Sequence, residues 1–90
     1  MSELLHLLIY DYVENMTERR TPHREAHLEL IRSFQRDDRL VIAGAFGVPV
    51  SGGLLAFRDA ADAEAFAAAD PYKAAGLIVS SRVEPWAIVT

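Results

Sequence analysis

A segment with no wet face opens the chain. Leu4-Leu5-His6-Leu7-Leu8-Ile9-Tyr10-Asp11-Tyr12-Val13 reads as a β-strand whose Leu5, Leu7 and Ile9 point one way and whose Leu4, Leu8 and Tyr10 point the other. A strand in a sheet with one solvated side alternates apolar with polar residues. A strand that is apolar on both sides therefore belongs to a sheet that is covered on both sides. The whole chain has 90 residues with which to supply that cover. A chain of that length buries roughly 60–65% of the surface that its unfolded form exposes, so a lone monomer is marginal. With 51% of its residues hydrophobic, the chain is expected to complete its burial against a second copy of itself.

The remaining elements follow from local signals. Glu14 to Arg20 reads as a polar connector. Thr21-Pro22 reads as a helix start, with Thr21 as N-cap and Pro22 at the first helical position, and the helix runs to about Asp37. Glu25 stands one residue too late for a capping box. Leu40 to Phe46 and Gly53 to Phe57 read as two strands paired as a hairpin around the turn residues Gly47 to Gly53. Arg58-Asp59 opens an alanine-rich helix that ends near Ala69, with Asp59, Asp62 and Glu64 at its positive end. Asp70-Pro71 restarts the chain in a short helical turn that stops at Gly76. Leu77 to about Val89 is the last strand, and Pro85 within it argues for an edge or a bulge.

The order βαββαβ predicts a single α+β domain over residues 1–90 with a ferredoxin-like fold, a four-stranded antiparallel sheet with both helices on one face. The helices cover one face of that sheet. No segment is left for the other, and a second copy of the sheet is the economical cover.

Composition removes several classes of function. The formal charge of −4 argues against nucleic acid as a partner, and the one basic cluster, Arg19-Arg20 with Arg24, lies beside acids. No apolar stretch approaches the ~20 residues of a membrane span. The first residues lack the basic stretch of a signal peptide, and there is no cysteine. Together these predict a soluble cytoplasmic protein without disulfides or cysteine-based metal sites.

Chemistry concentrates in two segments. On a helical wheel His27, Leu30, Ile31 and Phe34 share one face, and His23 and Arg24 lie at the N-terminal end of the same stripe. The face turns polar as the helix begins, either because the helix emerges from the core there or because His23, Arg24 and His27 line a pocket. Asp70 has two readings as well. Asp before Pro is a common cap pair, and an ionised Asp at a helix start is also well suited to fix the tautomer of an imidazole. If the fold joins them, His27 is a general base and Asp70 its orienting acid, with Arg24, His23 and Tyr72 as substrate-binding neighbours. His23 and His27 are spaced to share a metal, but Arg24 and Arg20 would repel a cation, so no metal site and no cofactor are expected. The glycines Gly44, Gly47, Gly52 and Gly53 lack the Lys-Ser/Thr of a phosphate loop. Ser80-Ser81 lies on a strand without a nucleophile elbow.

Three motifs carry a family resemblance. They are Arg24-x-x-His27-Leu28, Leu40-Val41-Ile42-Ala43-Gly44, and Phe66-x-x-x-Asp70-Pro71-Tyr72-x-x-Ala75-Gly76-Leu77, the last being the most specific, with Trp86 in the closing strand. In these the chain resembles the YCII-related (YciI-like) family of dimeric α+β barrel proteins over nearly its whole length. The resemblance implies a ferredoxin-like monomer that pairs through its sheet, and a His-Asp site falling on His27 and Asp70. It also implies kinship with dehydrochlorinase and muconolactone-isomerase-type enzymes acting on small cyclic or aromatic acids. Ala45 departs from the family, which tends to have proline there. The competing expectation is a non-catalytic, ligand-binding or accessory homodimer.

Overall fold

The computed structural model describes residues 3–90. Four strands and two long helices carry the architecture. They run β1 (Glu3–Tyr12), α1 (Met16–Arg19), a 3-10 turn (Thr21–His23), α2 (Arg24–Arg36), β2 (Leu40–Phe46), β3 (Gly52–Phe57), α3 (Ala60–Ala69), α4 (Pro71–Ala74) and β4 (Ile78–Ile88). The sheet has the order β2-β3-β1-β4, with every neighbouring pair antiparallel. This is the ferredoxin-like arrangement. Each long crossover carries a helix, and a strand from the other half of the chain fills the gap between the strands it joins.

Register assigns the residues of the sheet to its faces. Leu8 pairs with Leu55 and with Val83, and His6 pairs with Phe57. Leu8, Tyr10, Leu40, Leu55 and Phe57 form the core with Phe34 of α2 and Ala63 and Phe66 of α3. The Phe66 ring meets Phe34 edge-on at 5.2 Å, a favourable aromatic geometry. Alanine makes α3 a ready helix, and its small side chains let Phe66 seat fully in the core. A second, smaller cluster of Met16, Tyr72 and Leu77 closes one end of this layer.

The other face carries no helix. Leu7, Ile42, Leu54, Ala56, Phe46 and Trp86 line a shallow hollow there of about 250 Å³. Ile42 is 63% exposed and Trp86 43%. The doubly apolar first strand thus meets cover on one side and open apolar surface on the other.

Three local expectations are corrected or refined. Thr21 does not cap α2. Thr21-Pro22 opens a 3-10 turn instead, the Thr21 hydroxyl donates to the Thr17 carbonyl at 3.4 Å, and the α-helix begins at Arg24 without a side-chain cap. The connector expected from Glu14 to Arg20 contains a four-residue helix, entered through Asn15 in the left-handed region at φ 58° and anchored by buried Met16. Pro85 does lie on an edge strand, but the register shift between β1 and β4 falls at Asp11/Tyr12 instead of at the proline. No helix among the described residues is long and apolar enough to cross a membrane.

Candidate active site

His27 and Asp70, 43 residues apart in sequence, meet inside the protein. His27 Nδ1 stands 2.8 Å from Asp70 Oδ1, and both residues are buried. Helix α2 supplies the imidazole on its inward face, one turn from its start. The break between α3 and α4 supplies the carboxylate, because extended backbone at Asp70 (ψ 122°) turns its side chain back toward the helix it caps. Asp70 caps a helix and contacts the imidazole at once. Its Oδ1 accepts from the Tyr72 backbone N–H at 3.0 Å as a helix cap and also meets His27 Nδ1.

A third donor completes the set. The Tyr10 hydroxyl, from the centre of β1, donates to Asp70 Oδ2 at 2.9 Å. The carboxylate oxygens thus face the Tyr10 hydroxyl, the Tyr72 N–H and the Nδ1 edge of His27. With Nδ1–H donating to Asp70, the lone pair of the neutral imidazole lies on Nε2. Nε2 has no partner among the described residues and is left to the cavity that the ring lines.

Tyr72 lies flat on His27, with ring centroids 3.8 Å apart and planes 6° from parallel, and Phe66 meets the imidazole edge-on at 6.1 Å. The ring is therefore clamped on its face, on its edge and through Nδ1. A phenol face also stabilises positive charge on the imidazole.

The cavity holds about 300 Å³ between α2 and the sheet, at the lower end of the range for small-molecule sites. Arg20, Arg24, His27, Gln35, Tyr12 and Tyr72 bring its polar groups, and Ala43, Ala45 and Leu55 are among its apolar lining. Among the described residues, Arg32, Arg36, Arg39, Arg58 and Arg82 each reach a carboxylate. Neither Arg20 nor Arg24 does so, and the cavity is thus positively polarised.

The phenols feel these charges. Burial, then the Asp70 charge and the hydrogen bond to it, push the Tyr10 hydroxyl far above the usual tyrosine value, so it remains a donor. Tyr12 is raised chiefly by burial and then by Asp70, with Arg20 and Arg24 pulling the other way. Tyr72 is raised by burial above all, against the pull of Arg24 and Arg20. The Arg24 guanidinium lies close to the Tyr72 hydroxyl, yet without hydrogen-bond geometry.

Of the residues expected at the site, His27 and Asp70 touch, and Arg24 and Tyr72 line the cavity. His23 is the N-cap residue of α2 and does not line it. Tyr10, Tyr12 and Arg20 were not expected there. The two tyrosines share strand parity with Leu8, which points them to the helical side. Arg20 follows the lone apolar residue of its segment, Met16, by one helical turn. No group of three or more His, Asp or Glu side chains among the described residues is placed to hold a metal ion.

The model of the YCII-related domain matches residues 4–87, and the chain belongs to that family. Among solved structures it is similar to the 5-chloro-2-hydroxyhydroquinone dehydrochlorinase of Burkholderia phenoliruptrix AC1100, determined in complex with 2,5-dihydroxybenzoquinone. That match has a TM-score of 0.73 at 20% identity and covers 91% of this chain and 92% of the other. It is also similar to an uncharacterised NIPSNAP-like domain protein of Burkholderia xenovorans, with a TM-score of 0.54 at 17% identity, covering 97% and 84%. At these identities the likeness is one of fold. None of the curated proteins matches significantly.

Proposed function

We propose that this YCII-related protein is a small acid–base enzyme of the lyase or isomerase type, with His27 as general base and Asp70 as the acid that orients it. One observation carries the reading. The imidazole is fixed through Nδ1 on a buried carboxylate at 2.8 Å, while its opposite edge faces a ligand-sized cavity. A histidine that only filled space in the core would need neither the cavity nor two unpaired guanidiniums beside it.

In the proposed step Nε2 takes a proton from carbon next to a carbonyl or enol. The C–H electron pair becomes a new π-bond. It then either expels a leaving group such as chloride from the adjacent carbon, or is reprotonated by the imidazolium at the far end of the conjugated system. Asp70 and the Tyr72 face stabilise the imidazolium meanwhile, and Tyr10 holds Asp70 in place. Acid–base catalysis of this kind supplies about 10²–10⁴-fold, and positioning in the cavity supplies the remainder. The substrate is a small cyclic or aromatic acid, with Arg24 at the pocket edge. Likeness in fold to a dehydrochlorinase solved with a dihydroxybenzoquinone supports a substrate of that size and shape. The chemistry asks for no cofactor. The protein would act as a homodimer in the cytoplasm, the open sheet face of one copy covering that of the other.

The test is turnover by His27→Ala against chlorinated hydroquinones and unsaturated lactones. A fall of about 10²–10⁴-fold relative to the wild type is expected. Undiminished turnover ends the mechanism, and binding without turnover by the wild type supports a ligand carrier instead.

A further inference from the structure

Two residues that line the cavity, Arg20 and Tyr72, each carry a buried donor without a hydrogen-bond partner among the described residues. These donors are the Tyr72 hydroxyl and Arg20 Nε, both shut off from solvent. Buried donors are nearly always satisfied in folded proteins, so two on residues that line one hollow call for an explanation. The Tyr72 side chain and the Arg20 backbone are both held firmly from behind. The Tyr72 residue is 1% exposed, with its ring stacked on His27 and packed on Met16 and Leu77. Arg20 stands one helical turn after buried Met16. Its backbone N–H donates to the Met16 carbonyl at 2.9 Å, and its own carbonyl accepts from His23 N–H at 2.8 Å. The short helix α1 thus seats one side chain in the core and aims the next along the same face at the cavity. No acidic group competes for these donors inside the hollow, because both Asp70 oxygens are taken by Tyr10, His27 and the Tyr72 backbone.

We propose that Arg20 and the Tyr72 hydroxyl form an oxyanion subsite that binds the carboxylate of a small planar aromatic acid and thereby sets its ring against the free edge of His27. The inner edge of a guanidinium, Nε–H beside one Nη–H, is a two-pronged donor matched to two carboxylate oxygens. The Tyr72 O–H supplies a third bond. Arg24, also unpaired and also lining the cavity, adds charge at the rim. Calling the occupant a substrate rests on the acid–base reading above, whereas the subsite itself rests on the orphaned donors.

Equilibrium titration separates the two. The probes are benzoate and its neutral isostere benzamide, with the wild type, Arg20→Gln, Tyr72→Phe and His27→Ala. Benzoate should bind the wild type at least about tenfold more tightly than benzamide does, and Arg20→Gln and Tyr72→Phe should each weaken benzoate about tenfold or more while leaving benzamide unchanged. Because each variant removes a donor left unsatisfied in the free protein, its melting temperature without ligand should equal or exceed that of the wild type. That result marks the two groups as binding residues and not structural ones. His27→Ala should keep its preference for benzoate whatever becomes of turnover, so a failed mechanism leaves this test standing. Equal affinity for the two probes, no binding of benzoate by the wild type, or full benzoate affinity in both donor variants would overturn the assignment.

Discussion

The two faces of the sheet are built from the same strands and could hardly differ more. On the helical side β1 contributes Leu8, Tyr10 and Tyr12, and α2, α3 and α4 close over them. Every titratable side chain of the candidate site lies on that side. On the other side β1 contributes Leu7 to the open apolar surface around Ile42, Leu54 and Trp86. Ala43, Gly44 and Ala45 line the hollows on both faces, so a single layer of β2 separates them. The lesson is a division of labour by strand parity. From the middle of β1 onward, Leu8, Tyr10 and Tyr12 face the helices, and Leu7 faces the open apolar surface.

Removing the carboxylate at the centre of the covered face tests this division most severely. Asp70→Ala leaves the His27 ring, the Tyr10 hydroxyl and the Tyr72 N–H without their acceptor, and should cost about 3–5 kcal/mol of stability as well as turnover. Denaturant unfolding measures the first, and a loss under about 1 kcal/mol would mean that this face is not organised around Asp70.

The open face should respond in the opposite way. Ile42→Asp changes an exposed residue, so monomer stability should shift by no more than about 0.5 kcal/mol. If two sheets pack together there, the same change should weaken the dimer by roughly 2–4 kcal/mol. Sedimentation of both proteins at micromolar concentration decides this, and a wild type that sediments as a monomer removes the proposed function of that face.

Tyr10→Phe is a finer probe, because it deletes one oxygen and leaves the ring in the core. The lost bond to Asp70 should cost roughly 1–3 kcal/mol. The same variant sharpens a pH effect. Burial raises the folded-state phenols of Tyr10, Tyr12 and Tyr72 above their usual value. Above about pH 10 the unfolded chain therefore releases protons that the folded chain retains, and stability falls as pH rises. Each phenol contributes up to about 1.4 kcal/mol per pH unit. In Tyr10→Phe the decline between pH 10 and 11 should be shallower by one such contribution, and an unchanged slope would mean that Tyr10 ionises freely.

Much of this contrast was legible in the residues. The doubly apolar β1 announced two faces needing cover, and the helical wheel placed His27 on the buried stripe of α2. Asp70-Pro71 announced a cap, and the residue is both a cap and the partner of His27. The rest was hidden for physical reasons. Helix α1 is four residues long, too short for periodicity to register, so Arg20 read as part of a connector. Tyr10 and Tyr12 read as apolar strand residues because hydropathy does not distinguish a phenol that packs from one that also donates. Thr21-Pro22 carried the signal of an α-helical start, but the backbone makes a 3-10 turn before α2 begins at Arg24.

The spacing of the groups gathered on Asp70 also bears on when that cluster can form. A ribosome delivers Tyr10 and His27 long before the acid, which is 60 residues after the first and 43 after the second. Until the carboxylate arrives and the last strand docks beside β1, the nascent polypeptide carries an imidazole without its keeper. The gathering of groups on Asp70 is therefore a late event of maturation, which waits for residues from β1 through β4 to close upon one another.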